Sequence, residues 1–182
     1  MLTIKTASAD LKELDEIRRL YNSSFPDDER IPWHRLFHQL DESHIMNIFY
    51  EADTPVGMSY LFLHENLVYL GYLAVEEKLR SRGYGTAILH MIQEIWKNHK
   101  IVIDIEVIDP SADNYEERVS RKQFYLHNGF EETGTGYYFY HVDYELLSCS
   151  GIVNADEFRS LILKHWGPIA QNAVFKNLKE TL

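Results

Sequence analysis

The sequence predicts one α/β domain of the α+β kind, in which helices flank a mixed, mostly antiparallel central sheet. Three observations predict it. Between Ile45 and Val75, apolar runs are separated by short turns, the pattern of an antiparallel meander. A strongly periodic helix from Tyr84 to His99 leads directly into an apolar strand, Ile101 to Ile108. That strand–helix–strand order makes a right-handed crossover and a parallel pair. A hairpin signal then completes the sheet before residue 148.

The elements follow in order. Thr3 to Ala7 is a short strand, and Leu11, Leu14, Ile17 or Arg18, and Tyr21 recur at helical spacing until Pro26 stops the helix. A loop from Phe25 to Trp33 leads into a short helix around His34 to Gln39. Ile45 to Glu51 is a strand, Asp53-Thr54-Pro55 a turn, and Val56, Met58, Tyr60 and Phe62 alternate to one face. Leu67 to Val75 is nearly all apolar, as a central strand covered on both faces should be. After Pro110 a polar segment enters a helix that ends at His127-Asn128-Gly129, where glycine supplies a left-handed cap.

Phe130 to Glu132 and Gly136 to Leu147 read as the final hairpin, with Tyr137 and Phe139 alternating against Tyr138 and Tyr140 as core or pocket wall. Residues 154 to 181 carry two helical patterns: Phe158, Leu161, Ile162 and His165, then Ile169, Ala170, Ala173, Val174 and Leu178. Asn154 with Glu157 resembles a capping box. The Ser148-Cys149-Ser150-Gly151 break divides a main domain, 1–148, from a helical extension, 149–182. That extension either covers the same domain or packs on a partner, as in a homodimer.

Composition narrows the function. The chain has 182 residues, 45% hydrophobic and 25% charged, with 18 Lys+Arg against 28 Asp+Glu and a formal charge of −10. That balance argues against broad binding to nucleic acid or to an anionic membrane and favours a neutral or cationic partner. Cys149 is the single cysteine, so an intrachain disulfide is excluded and a reducing, cytoplasmic location is expected. Lys5 and Asp10 interrupt the N-terminus before any secretory apolar region develops, and Leu67 to Val75 is about half a membrane span.

The segment that carries chemistry runs from Leu73 through Arg80-Ser-Arg-Gly83-Tyr-Gly85-Thr86, between the apolar strand and the strong helix. Glycines there let backbone approach a ligand, and the free amides of a helix's first turn suit a phosphate. Neither Gly-x-Gly-x-x-Gly nor the P-loop pattern is present. A tight turn with no ligand is the alternative reading of a glycine pair.

In this context Arg80-x-x-Gly83-x-Gly85 resembles the Gln/Arg-x-x-Gly-x-Gly/Ala motif of the GNAT N-acetyltransferase superfamily. Gln123-Phe-Tyr125-Leu-His-Asn-Gly129-Phe130 is similar to its second signature. The resemblance implies the GNAT fold, with acetyl-CoA lying where the fourth and fifth strands splay. It implies cofactor contacts from Leu73, Ala74 and Val75 to the pantetheine arm, and from Arg80, Ser81, Arg82, Gly83, Tyr84, Gly85 and Thr86 to the pyrophosphate. It implies transfer to an amine acceptor by direct attack, with Tyr125 as the acid that protonates the leaving thiolate.

Glu106-Val107 matches a dipeptide whose Glu is the base in some relatives; the alternative is a structural carboxylate paired with Arg or Lys. Many relatives carry Asn and Ala where this chain has Arg118 and Arg121. Those arginines, with Lys122, either meet CoA phosphates or form a solvated basic face, and Ser111 to Glu117 reads as a loop insertion.

The loop Phe25 to Pro32 walls the acceptor side in this superfamily, so Glu29 and Arg30 are substrate-binding candidates. Asp27, Asp28 and Glu29 either attract an ammonium or cap the next helix. His34 and His38 lack further ligands, and no metal is expected. The acceptor is a small-molecule amine, with a protein N-terminus or lysine as the alternative, or an inactive CoA-binding module as a third.

Overall fold

A computed structural model describes residues 2–8, 11–27, 29–139, 141–175 and 179–180, with side chains up to residue 167. The chain forms two compact units, one of Met1–Leu63 with Leu70–Ile95, the other of His64–Tyr69 with Trp96–Leu182.

The first unit holds strands β1 (Leu2–Thr6), β2 (His44–Glu51), β3 (Thr54–His64) and most of β4 (Leu67–Val75), in that order, with helices α1 (Leu14–Ser24), α2 (Trp33–His38) and α3 (Tyr84–Ile95). β1 and β2 pair antiparallel from Leu2↔Glu51 to Thr6↔Asn47, and β2 pairs with β3 from His44↔Phe62 to Glu51↔Thr54. The alternation in the sequence is therefore the pleat of a meander. α1 buries Ile17, Leu20 and Tyr21 and α3 buries Ile88, Leu89 and Ile92, as helical spacing requires. Gly57 on β3 permits this packing. A Cβ there would lie 2.6 Å from the Ala74 carbonyl and 2.8 Å from Ile88 Cδ1.

α3 stops at Ile95, short of the predicted His99. Trp96 to His99 instead build the turn into the next strand: His99 N–H donates to Trp96 O at 2.8 Å and Lys100 N–H to Asn66 O at 3.0 Å. Its last apolar residues serve the turn rather than the helix.

The second unit contains β5 (Lys100–Glu106), α4 (Tyr115–His127), β6 (Glu131–Phe139), β7 (Val142–Cys149), α5 (Ala155–Phe175) and β8 (Lys179–Glu180), and its strands follow the order β4-β5-β7-β6-β8. The parallel pair is Leu67↔Lys100, Val68↔Ile101 and Tyr69↔Val102, while β5–β7 and β7–β6 are antiparallel. The sheet is thus mixed and mostly antiparallel, with its parallel pair produced by the α3 crossover.

The C-terminal segment follows the sequence reading and adds a short strand to it. The capping box forms, with Asn154 N–H donating to Glu157 and Glu157 N–H to Asn154 Oδ1, both at 3.0 Å. Phe158, Leu161 and Ile162 then pack on Leu67, Val102, Tyr137 and Leu146 inside the second unit. Gly167, at φ 73°, kinks α5 between two helical stretches, and beyond them β8 pairs with β6 through Thr135↔Glu180 and Gly136↔Lys179. The two predicted helical patterns thus form on either side of the kink, the second as far as Phe175, with an added strand after it; Leu178 lies outside the described residues. Among the described residues no helix is long and apolar enough to cross a membrane.

Candidate active site

In the first unit, β4 presents Leu73 and Val75 on a half-exposed face and buries Ala74, which is 4% exposed. The chain leaves β4 through a one-turn 3-10 helix, Glu77–Leu79, and Arg80 turns back so that its Nε donates to Val75 O at 3.2 Å. Ser81 and Gly83 then both take positive φ, 58° and 84°. A Cβ on Gly83 would meet no atom within 4 Å, so glycine is there for conformation rather than for lack of room. The first bond of α3 is Ala87 N–H to Gly83 O at 3.0 Å. The amides of Tyr84, Gly85 and Thr86 thus have no acceptor within the helix, and they sit at the positive end of its dipole.

The loop after α1 is held by two phenols. Ile31 N–H donates to Tyr72 Oη at 3.0 Å, Tyr72 Oη donates to Glu29 O at 2.9 Å, and Tyr21 Oη donates to Ile31 O at 3.0 Å. Arg30 lies on a cleft of about 500 Å³ with Arg18, Asn22 and Trp33. Its guanidinium donates to Asn22 O at 3.0 Å and pairs with Asp27, which removes Asp27 from the acids offered to an ammonium. Glu29 is not among the cleft's lining residues, and Asp28 is outside the described residues. α2 starts after Pro32 without a side-chain cap, so the acidic run does not cap it.

In the second unit, α4 begins at Tyr115, earlier than a loop insertion from Ser111 to Glu117 would allow. Glu106 is 8% exposed at the end of β5 and both its oxygens are engaged. Arg118 Nη2 lies 2.8 Å from Oε1, while Arg121 Nη1 at 3.2 Å and Asn114 Nδ2 at 3.0 Å reach Oε2. Arg118 also donates to Asn114 Oδ1 at 2.7 Å and to Val107 O at 2.9 Å. Of the two readings of Glu106, this geometry favours the paired structural carboxylate, because both oxygens are already engaged by Arg118, Arg121 and Asn114.

Lys122 is held between Glu145, at 2.8 Å, and Glu132. Arg118, Arg121 and Lys122 of α4 are therefore not a free basic face: each pairs with carboxylates of its own unit. Sequence spacing could not reveal these partners, which lie on different elements.

Tyr125 projects from the last turns of α4, its ring against Phe124 and Phe130 at centroid distances of 5.1 and 5.4 Å. Burial pushes its pKa up to about 12, with Arg121 lowering and Asp104 raising it. Its hydroxyl is therefore protonated at neutral pH. Gly129, at φ 83°, ends the helix, and Phe130 N–H donates back to Tyr125 O at 3.2 Å. Cys149 is buried in β7.

A family model described as the acetyltransferase (GNAT) family matches residues 14–130, which includes both motifs. The chain belongs to the GNAT acetyltransferase family.

Solved structures agree with this GNAT fold. A GNAT-family protein from Bacteroides thetaiotaomicron matches with a TM-score of 0.74 at 21% identity, covering 91% of this chain and 99% of that one. The ribosomal-protein-S18-alanine N-acetyltransferase of Escherichia coli gives 0.63 at 12% identity over 86% and 98%. A GNAT family acetyltransferase from Elizabethkingia anophelis, solved with acetyl-CoA bound, gives 0.56 at 16% identity over 81% and 97%. No curated protein matches the sequence.

Proposed function

We propose that the protein transfers the acetyl group of acetyl-CoA to the primary amine of a small molecule, by direct attack and without an acyl-enzyme. The observation that carries the reading is the Gly83 turn, which delivers the unpaired amides of Tyr84, Gly85 and Thr86 at the N-terminus of α3. Those amides, with Arg80, Ser81 and Arg82, would hold the pyrophosphate. Backbone groups of Leu73, Ala74 and Val75 would lie along the pantetheine arm.

Acetyl-CoA, when bound, supplies a thioester as electrophile. Tyr125 keeps its phenolic proton through the neutral range and can give it to the departing sulfur. Glu106, held by Arg118 and Arg121, positions α4 rather than taking the amine's proton, which leaves to water. Cys149 has no part in this scheme. The lone cysteine and the acetyl-CoA chemistry fit a cytoplasmic enzyme.

Thermal denaturation in the presence of acetyl-CoA tests the reading. At a concentration one hundred times Kd, stabilisation of about 2.7 kcal/mol is expected. Free thiol should then appear only when an amine is added from a panel of polyamines, aminoglycosides, arylalkylamines and peptides. Absence of any stabilisation at saturating acetyl-CoA would overturn the reading; release with peptides alone would move the acceptor to a protein.

A further inference from the structure

Asp104 stands two residues before Glu106 on β5 and shares its face, yet its surroundings differ. Tyr69 Oη donates to Asp104 Oδ1 at 2.7 Å, and Tyr137 Oη donates to Oδ2. Both donors are neutral phenols. Among the described residues no Lys, Arg or His forms an ion pair with Asp104, whereas Glu106 next to it has two guanidiniums. A partly buried carboxylate ordinarily has a cationic partner, because desolvating its charge is costly. Here the two phenols are its described hydrogen-bond partners.

The groups around Asp104 are aromatic. Tyr137 stacks on Tyr144 at 5.2 Å and on Phe158 at 5.9 Å, and Tyr69 meets Phe158 and Trp166 edge to face at 5.8 and 6.1 Å. Asp104, Tyr69, Tyr144 and Trp166 all keep part of their surface accessible. Ring faces attract a cation, and each carboxylate oxygen retains a lone pair after accepting one phenol. A divalent metal would need several oxygen or nitrogen ligands, and the described residues contain no cluster of three His, Cys, Asp or Glu. An organic ammonium needs only the carboxylate and the rings.

We infer that Asp104, presented by Tyr69 and Tyr137, is the docking point for the ammonium group of a cationic amine. As an acceptor subsite this rests on the acetyl-transfer reading; as a binding site it does not. The Asp104 charge is felt at the Tyr125 hydroxyl, which puts a docked ammonium within electrostatic reach of the proposed acid. α5 contributes Trp166, giving the C-terminal extension a part in ligand selection.

Titration calorimetry on the full chain tests this with two probes of like shape and opposite charge, phenethylamine hydrochloride and sodium phenylacetate. The ammonium should bind and the carboxylate should not. Asp104→Asn, which preserves shape and can still accept from the phenols, should weaken ammonium binding by about tenfold or more. Tyr69→Phe, which keeps the charge, should weaken it less.

Acetyl-CoA affinity should be unchanged in both variants. Equal ammonium affinity in the wild type and Asp104→Asn, equal binding of the two probes, or no ammonium binding by the wild type would each overturn the inference. Should Asp104→Asn fail to fold, a Tyr69→Phe chain that binds the ammonium no differently from wild type decides against it. Failure of acetyl-CoA to bind, with Asp104-dependent ammonium binding intact, would remove the acetyltransferase reading and leave this site standing.

Discussion

Arg118, in the first turn of α4, places Nη2 2.8 Å from Oε1 of Glu106 at the end of β5. Both side chains are largely withdrawn from solvent, 12% and 9% exposed. The pair joins the start of α4 to the strand, and Tyr125 lies two turns further along the same helix. A charge pair that looks catalytic in sequence therefore sets the position of the residue proposed to do the chemistry.

Removing one partner leaves the other buried and unpaired, which costs about 3–5 kcal/mol. Glu106→Gln should thus lower Tm by roughly 10 °C. The double change Glu106→Leu with Arg118→Met should recover much of the loss. Acetyl-CoA affinity should stay within about twofold of wild type in both, since Arg118 and Arg121 are paired with Glu106. An unchanged Tm with abolished turnover in Glu106→Gln would restore the base assignment.

Tyr125→Phe deletes one hydroxyl and keeps the ring against Phe124 and Phe130. Turnover should fall by about 10²-fold, while the Kd for acetyl-CoA, read by calorimetry, is unchanged. Equal turnover in the variant would take Tyr125 out of the mechanism.

Gly83→Ala places a side chain at φ 84° without any steric clash. The fold should lose about 1 kcal/mol, a Tm shift of a few degrees. Acetyl-CoA binding should weaken by at least about tenfold, as the re-aimed amides lose the pyrophosphate. Wild-type affinity would mean that the turn serves the fold alone.

Tyr72→Phe removes the acceptor of Ile31 N–H and the donor to Glu29 O together. A loss of about 1–3 kcal/mol is expected for the unpaired groups. Limited proteolysis should then cut more rapidly in the loop between α1 and α2. A cleavage rate equal to wild type would show that Tyr21 alone suffices to hold it.

Stability should also fall in alkali. Burial raises the folded-state pKa of Tyr125 to about 12 and raises Tyr60 likewise, against an unfolded value near 10.0. The folded chain therefore holds these protons more tightly than the unfolded one. Their contribution is complete below pH 10 and is lost as pH climbs towards the folded values. Urea midpoints measured from pH 8 to 11 should be level at first and decline above about pH 10; a midpoint that rises through this range would contradict the assignment.

Much of the fold was legible because burial imposes a period. Ile17, Leu20 and Tyr21 mark the buried face of a helix, and Val56, Met58 and Tyr60 mark one face of a strand that the fold buries on both sides. The glycine motif was legible too, because left-handed backbone at Gly83 and Gly129 leaves few other choices of residue. Boundaries were less so: Trp96 satisfies the helical period yet belongs to the turn, and β8 pairs with β6 where the spacing predicts no strand. Gly167, at φ 73°, lies between the two helical patterns and kinks α5 there.

By itself, then, the sequence determined the order of elements, the mixed sheet and the glycine turn before α3, each written in neighbouring residues by local sterics and periodicity. Tertiary structure decided which charges meet. Arg118 and Arg121 could have faced CoA or water until folding set them on Glu106, and Asp104 gained its two phenols from β4 and β6, 35 and 33 residues away in either direction. Electrostatic partnership depends on distance in space, and no spacing along the chain encodes it.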